Sequence, residues 1–244
     1  MASRGITLIE VLVSIAIIVI LLGLVASSLL KSQATAQDLI SAQRAASHAS
    51  VIAVYRHDFR ELFPYFTNPA GGYVELTSVR SGSVQALYFD APYYWNIALA
   101  DGYYDGDPFT AFHNRGFRGA HYNTWRYPLA FITRPAYWDP LTRQAPPSQF
   151  APTRGDEVRF TSSKALIVEY LTTEERSQSL SDFTTGSNAV AFTDGHAASL
   201  RQLTPYDPAY DVRPPDAFSP WSQTAFWFHP FGVTRNGVYG RDVR

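Results

Sequence analysis

A chain of 244 residues that is 46% hydrophobic and 15% aromatic can bury a sizeable core, which excludes a disordered tail. Its 20 Lys and Arg offset 21 Asp and Glu to a net charge of -1, so no overall field draws it onto nucleic acid or anionic lipid, and any such binding has to be local. Without cysteine, neither a disulfide framework nor a thiolate metal site can form.

From Val11 to Leu30 no residue is charged and Ile, Leu and Val dominate, a run long enough at about 1.5 Å per helical residue to cross a hydrocarbon core. A membrane helix is predicted. A secretory signal peptide has an apolar stretch of only about 7 to 15 residues ending at a small-residue cleavage site, a role that Ala26-Ser27-Ser28 fits poorly. Arg4 precedes the run, which predicts a cytoplasmic N-terminus with the bulk of the chain outside. Glu10 lies near the start of the apolar run, where an ionised carboxylate is costly unless it reaches the interface or meets a cation.

Arg4-Gly5-Ile6-Thr7-Leu8-Ile9-Glu10 followed by an apolar helix resembles the signal of type IV pilins and type II secretion pseudopilins. The resemblance implies that a membrane aspartyl prepilin peptidase cuts after Gly5, that Ile6 becomes the methylated N-terminal residue, and that Thr7 and Glu10 serve assembly. The amine created at Ile6 would be the cation that Glu10 of a neighbouring subunit needs, at a depth where a charge pair is weakly screened. The chain departs from the commoner pattern in having Ile6 where Phe is usual and Ser27 where many members have Pro. The partners implied are prepilin peptidase, other pilin or pseudopilin subunits, a cytoplasmic ATPase, an inner-membrane assembly platform and membrane lipid. The location implied is the bacterial inner membrane, spanned once, with the C-terminal domain periplasmic or extracellular and the subunit in a filament after assembly.

After Lys31, the recurrence of Ala36, Leu39, Ala42, Ala46, Ala49, Ile52, Tyr55, Phe59 and Leu62 every three or four residues predicts an amphipathic continuation to about Phe63, closed by Pro64. A single helix from Ile6 would then be on the order of 85 Å long, its stripe packed on the protein's own sheet. The expected division is a leader at 1–5, a transmembrane and polymerisation helix at 6–30, an amphipathic helix at 31–63 and a β-rich extracytoplasmic domain at 64–244. Beyond Pro64, short apolar runs broken by Gly, Pro, Asn and Asp predict strands at 73–79, 84–89, 128–133, 157–161, 165–171, 188–193, 197–203 and 224–228. The proline-rich stretch from Pro135 to Pro152 reads as a loop across the domain face.

Asp101, Asp105 and Asp107, with Gly102 and Gly106, place three carboxylates in one short predicted loop, the chemistry a calcium ion requires; such Asp-Gly pairs are also common turn formers. The stretch from His113 to Tyr127 mixes arginines with aromatics, which could stack bases or sugars or else pack on its own domain. The neutral net charge argues against nucleic acid as a partner. Arginine supplies nearly all the positive charge, and the two lysines, Lys31 and Lys164, carry no functional reading.

The segments from Ser163 to Glu169 and from Gly186 to His196 resemble the C-terminal signature of planctomycete-type prepilin proteins. That signature opens with a His where this chain has Thr184, so its later half alone matches. Asp194-Gly195 between two alternating runs predicts a two-residue hairpin turn. No G-x-S-x-G, H-E-x-x-H or Gly-rich phosphate loop occurs, and the six histidines are scattered, so an enzyme is not expected. The expected fold is α+β and pilin-like: a long N-terminal helix, its first half transmembrane, packed on an antiparallel sheet with long loops. The expected function is that of a pseudopilin or minor pilin, with a DNA- or glycan-binding surface protein and a membrane-anchored enzyme as alternatives.

Overall fold

The computed structural model describes residues 8–65, 68–78, 82–104, 125–145, 147–169, 188–200, 205–209 and 231–243. The chain divides into two compact units, Met1–Ile40 and Ser41–Arg244, and one helix, α1 (Leu8–Asp58), contributes to both. The described part of the first unit is helix throughout. Two of its hydroxyls are satisfied locally: Ser27 donates to the Leu24 carbonyl at 2.9 Å and Thr35 to the Lys31 carbonyl at 3.1 Å. Such back-bonding lets polar residues sit in an apolar helix without seeking water.

Within the second unit, α1 buries Ala45, His48, Ala49 and Ile52, a stripe at helical spacing. Three residues expected on the stripe are instead exposed, Ala36 and Leu39 in the first unit and Phe59 in the second, Leu39 at 67% and Phe59 at 47%. The helix also stops short of Pro64. Arg60 and Glu61 adopt positive φ, and the chain then turns into tertiary pairing: Leu62 bridges Arg154, and the Phe63 amide donates to the Thr153 carbonyl at 3.0 Å. Phe63 is fully buried, its ring centroid 4.2 Å from that of Phe131. Burying that ring and pairing its backbone outweighs the turn of helix given up.

Strands β1 (Val74–Ser78) and β2 (Gly82–Ala86) form an antiparallel hairpin. The strand expected at 84–89 ends at Ala86 because a 3-10 turn, Tyr88–Asp90, leads into a helix absent from the sequence reading, α2 (Ala91–Tyr103). Its aromatic residues favour strand by propensity, but Ala91, Trp95 and Leu99 recur at one-turn spacing and all are buried. Asp90 precedes it, accepting the Leu87 amide at 2.9 Å.

The main sheet is antiparallel, in the order β3 (Trp125–Arg126), β4 (Ala165–Glu169), β5 (Asn188–Phe192), β6 (Ala197–Leu200). Both of its faces are covered. Ile167, Ala189 and Ala191 join the cluster containing Ile52, Trp95 and Phe131, whereas Ala165, Val168, Val190 and Phe192 pack with Phe231 in a second one. That explains why β4 and β5 are continuous apolar runs rather than alternating ones.

Two expected strands are 3-10 structure instead. Leu129–Phe131 is a buried 3-10 turn within the expected 128–133, and 157–161 holds the end of one 3-10 turn and the start of another, Gly155–Glu157 and Thr161–Ser163. Local capping wins at the first of these, where the Glu157 carboxylate accepts the Arg154 amide at 2.7 Å. The stretch from Pro135 to Pro152 is not a surface loop alone: Tyr137, Trp138 and Phe150 are buried, and Tyr88 stacks on Phe150 with centroids 4.6 Å apart. The expected strand at 224–228 lies outside the described residues.

Candidate functional site

Within its own unit, every described side chain from Val11 to Leu30 is exposed. Consecutive helical residues are about 100° apart, so the uninterrupted Ile17-Ile18-Val19-Ile20-Leu21-Leu22 rings the whole circumference and leaves no polar face. Fourteen large aliphatic residues in this run are between 48% and 68% exposed. At about 1.5–3 kcal/mol per side chain fully removed from water, covering them favours a non-aqueous environment by on the order of tens of kcal/mol. Among the described residues this helix alone is long and apolar enough to cross a membrane.

Glu10 falls in the first turn of α1. Its side-chain surroundings, and Gly5, Ile6 and Thr7 altogether, lie outside the described residues. Residues 1–26 match the family model described as the prokaryotic N-terminal methylation motif. The chain carries a prepilin-type methylation motif. Neither a curated protein nor a solved structure matches it. The matched stretch spans Gly5, Ile6, Thr7 and Glu10 and runs on into the apolar helix, so a methylation motif is continued here by a span long and apolar enough to cross a membrane.

The second unit of this prepilin-type chain holds its portion of α1 by polar as well as apolar contacts. Ser41 donates to Glu169 Oε1 at 3.0 Å, and the second oxygen of that buried carboxylate accepts the Ala189 amide at 3.1 Å. His48 sits in an aromatic cage, its ring centroid 5.2 Å from Trp125, 5.7 Å from Trp95 and 6.1 Å from Tyr104. Its Nδ1 is 3.2 Å from the Tyr104 hydroxyl. Burial, aided by the nearby Arg44, pushes the His48 pKa down to about 3, so the imidazole is neutral at ordinary pH. Burial moves Asp90 the other way, up to about 6, against the opposing Leu87 hydrogen bond.

Asp101 falls in the last turn of α2 rather than in a loop, because the helix extends to Tyr103; Asp105 and Asp107 lie outside the described residues. The arginine-aromatic stretch also lies outside them up to Thr124. Its last three residues, Trp125, Arg126 and Tyr127, are buried in the domain. Asp194 and Gly195 do lie in the β5–β6 hairpin, but the turn is longer than two residues. The Gly195 amide donates to the Phe192 carbonyl at 3.0 Å and the Phe192 amide to the His196 carbonyl at 2.9 Å, so Thr193, Asp194 and Gly195 form the loop. Gly195 takes the positive φ, +91°, whereas Asp194 does not, which excludes the two-residue turn with both centres left-handed. At the tip, Asp194 Oδ1 is 2.6 Å from His196 Nδ1, and the His196 ring stacks on Phe192.

The residue that sequence reasoning passed over is Lys164. It is fully buried, and its ammonium donates to Thr234 Oγ1 at 2.8 Å, to the Gly237 carbonyl at 3.0 Å and to Asp242 Oδ1 at 3.0 Å. Thr234 in turn donates to Asp242 Oδ1, and the Ala165 amide donates to Oδ2 at 2.8 Å. Gly237 is required here: its φ is +56°, and a Cβ would come within 2.9 Å of the Trp138 ring. Burial drives the Lys164 pKa down and the Asp242 pKa up, each against the pull of its partner. The scarcity of lysine was the available signal, since a near-all-arginine chain keeps Lys164 where a compact ammonium is needed.

Proposed function

We propose that this chain is a pseudopilin or minor pilin, a structural subunit of a type II secretion-like or type IV pilus-like filament. The observation that carries the reading is the coincidence of the methylation motif at 1–26 with a helix whose aliphatic surface is exposed on every side. The leader 1–5 is removed after Gly5, the span 6–30 rests in the inner membrane with the leader on the cytoplasmic side, and the domain projects into the periplasm. On extraction by the assembly platform and its ATPase, lipid around the span is replaced by the spans of other subunits. The methylated amine of Ile6, with Thr7 beside it, then meets Glu10 of a neighbour inside an apolar bundle, where an unpaired charge is costly and register is enforced.

Intact-mass analysis of protein extracted from membranes tests the first step, with an N-methylated Ile6 as the expected start. Retention of Met1 to Gly5 in cells with active prepilin peptidase overturns the reading. For the second step, Glu10→Ala should leave cleavage and insertion intact while the sheared-filament fraction falls at least several-fold. Equal entry of both proteins into filaments removes the charge-pair account.

A further inference from the structure

We propose that Lys164 and Asp242 condense to an intramolecular amide that ties the residue leading into β4 covalently to the segment 231–243. The two groups are held together, dry and supplied with a proton path. Nζ stands 3.0 Å from Oδ1, with side-chain exposures of 0% for Lys164 and 1% for Asp242, so the pair reacts at the high effective concentration of a fixed contact. The same exclusion of water protects the product from hydrolysis.

Each neighbour has a part in the step. The Gly237 carbonyl and Thr234 Oγ1 orient the amine, and the Ala165 amide at Oδ2 stabilises the oxyanion that forms when nitrogen attacks Cγ. Thr234 accepts a hydrogen bond from Nζ and donates one to Oδ1, which makes its hydroxyl a relay from the nucleophile to the leaving oxygen. The balance closes without a co-reactant. The ammonium has three protons and the carboxylate none; one proton stays on the new amide nitrogen, two pass to Oδ1, the Cγ–Oδ1 bond breaks, and one water leaves as the Nζ–Cγ bond forms. Desolvation aids the step, since lowering the amine pKa and raising that of the acid favours the neutral, nucleophilic amine.

Intact-mass spectrometry of the full-length protein reads the outcome. The expected mass is one water below that required by the sequence and its N-terminal processing. Trypsin should leave Lys164 uncut and yield Phe160–Arg176 joined to Asp242–Arg244. Succinimide at Asp101-Gly102, Asp105-Gly106 or Asp194-Gly195 would also lose one water, and Lys164→Arg separates the sources: the loss disappears if the amide is its origin. Thr234→Val should abolish the joined peptide and Thr234→Ser restore it; full linkage in Thr234→Val overturns the relay. An unshifted wild-type mass, or a water loss mapped to an Asp-Gly pair, overturns the proposal whether or not the variants fold.

Discussion

The two halves of α1 share one backbone and obey different rules. Between Val11 and Leu30 the side chains are exposed on all sides, and overall apolarity matters more than the identity of any one residue. Between Ser41 and Asp58 the stripe Ala45, His48, Ala49 and Ile52 is buried while Gln43, Arg44, Ser47, Ser50, Ala53 and Val54 face outward. A substitution in the first half is therefore averaged over a long surface that other molecules must cover. In the second it is felt at one fitted position.

Ile52→Ala sharpens this contrast most. It deletes a fully buried side chain and should destabilise the second unit by about 2–5 kcal/mol, seen as a lowered urea midpoint of the full chain in detergent micelles. Ile18→Ala, in the exposed run, should leave that midpoint where it is. A midpoint equally lowered by both substitutions would erase the distinction between the halves.

The reciprocal experiment places a charge. Leu22→Arg near the middle of the apolar run should cost about 2.5–3.5 kcal/mol of insertion, read as a several-fold drop in the membrane fraction with domain stability unchanged. Leu39→Arg, at a position 67% exposed and beyond that run, should change neither.

The smallest effect in the native protein is its response to acid, because two buried groups oppose each other. His48 has a folded pKa of about 3, below its ordinary 6.5, so the unfolded chain binds the extra proton and this group's contribution to stability is lost as pH falls through that window. Asp90 has a folded pKa of about 6, above its ordinary 3.8, so its contribution is fully present below 3.8 and lost as pH rises toward 6. Between about pH 4 and 6 the two slopes offset in part. Asp90→Asn should make acid more destabilising than in the native chain, and His48→Gln should make it less so. Urea midpoints measured across this range check both, and a shared direction of change would contradict the assignment.

Composition and local pattern determined the apolar span, its motif, the continuation of the helix beyond Lys31, and the hairpin around Asp194-Gly195. These depend on runs of residues close in sequence, whose hydrophobicity or backbone preference is visible without partners. Tertiary structure decided where α1 stops, because Phe63 gains more from Phe131 and Thr153 than from another helical turn. It also decided that the aromatic segment from Ala91 is a helix, since the faces covered by core, rather than propensity, select its conformation. Lys164 is the furthest from legibility: its partners Thr234, Gly237 and Asp242 lie 70, 73 and 78 residues away along the chain, and a buried charge is tolerable only once all of them have arrived.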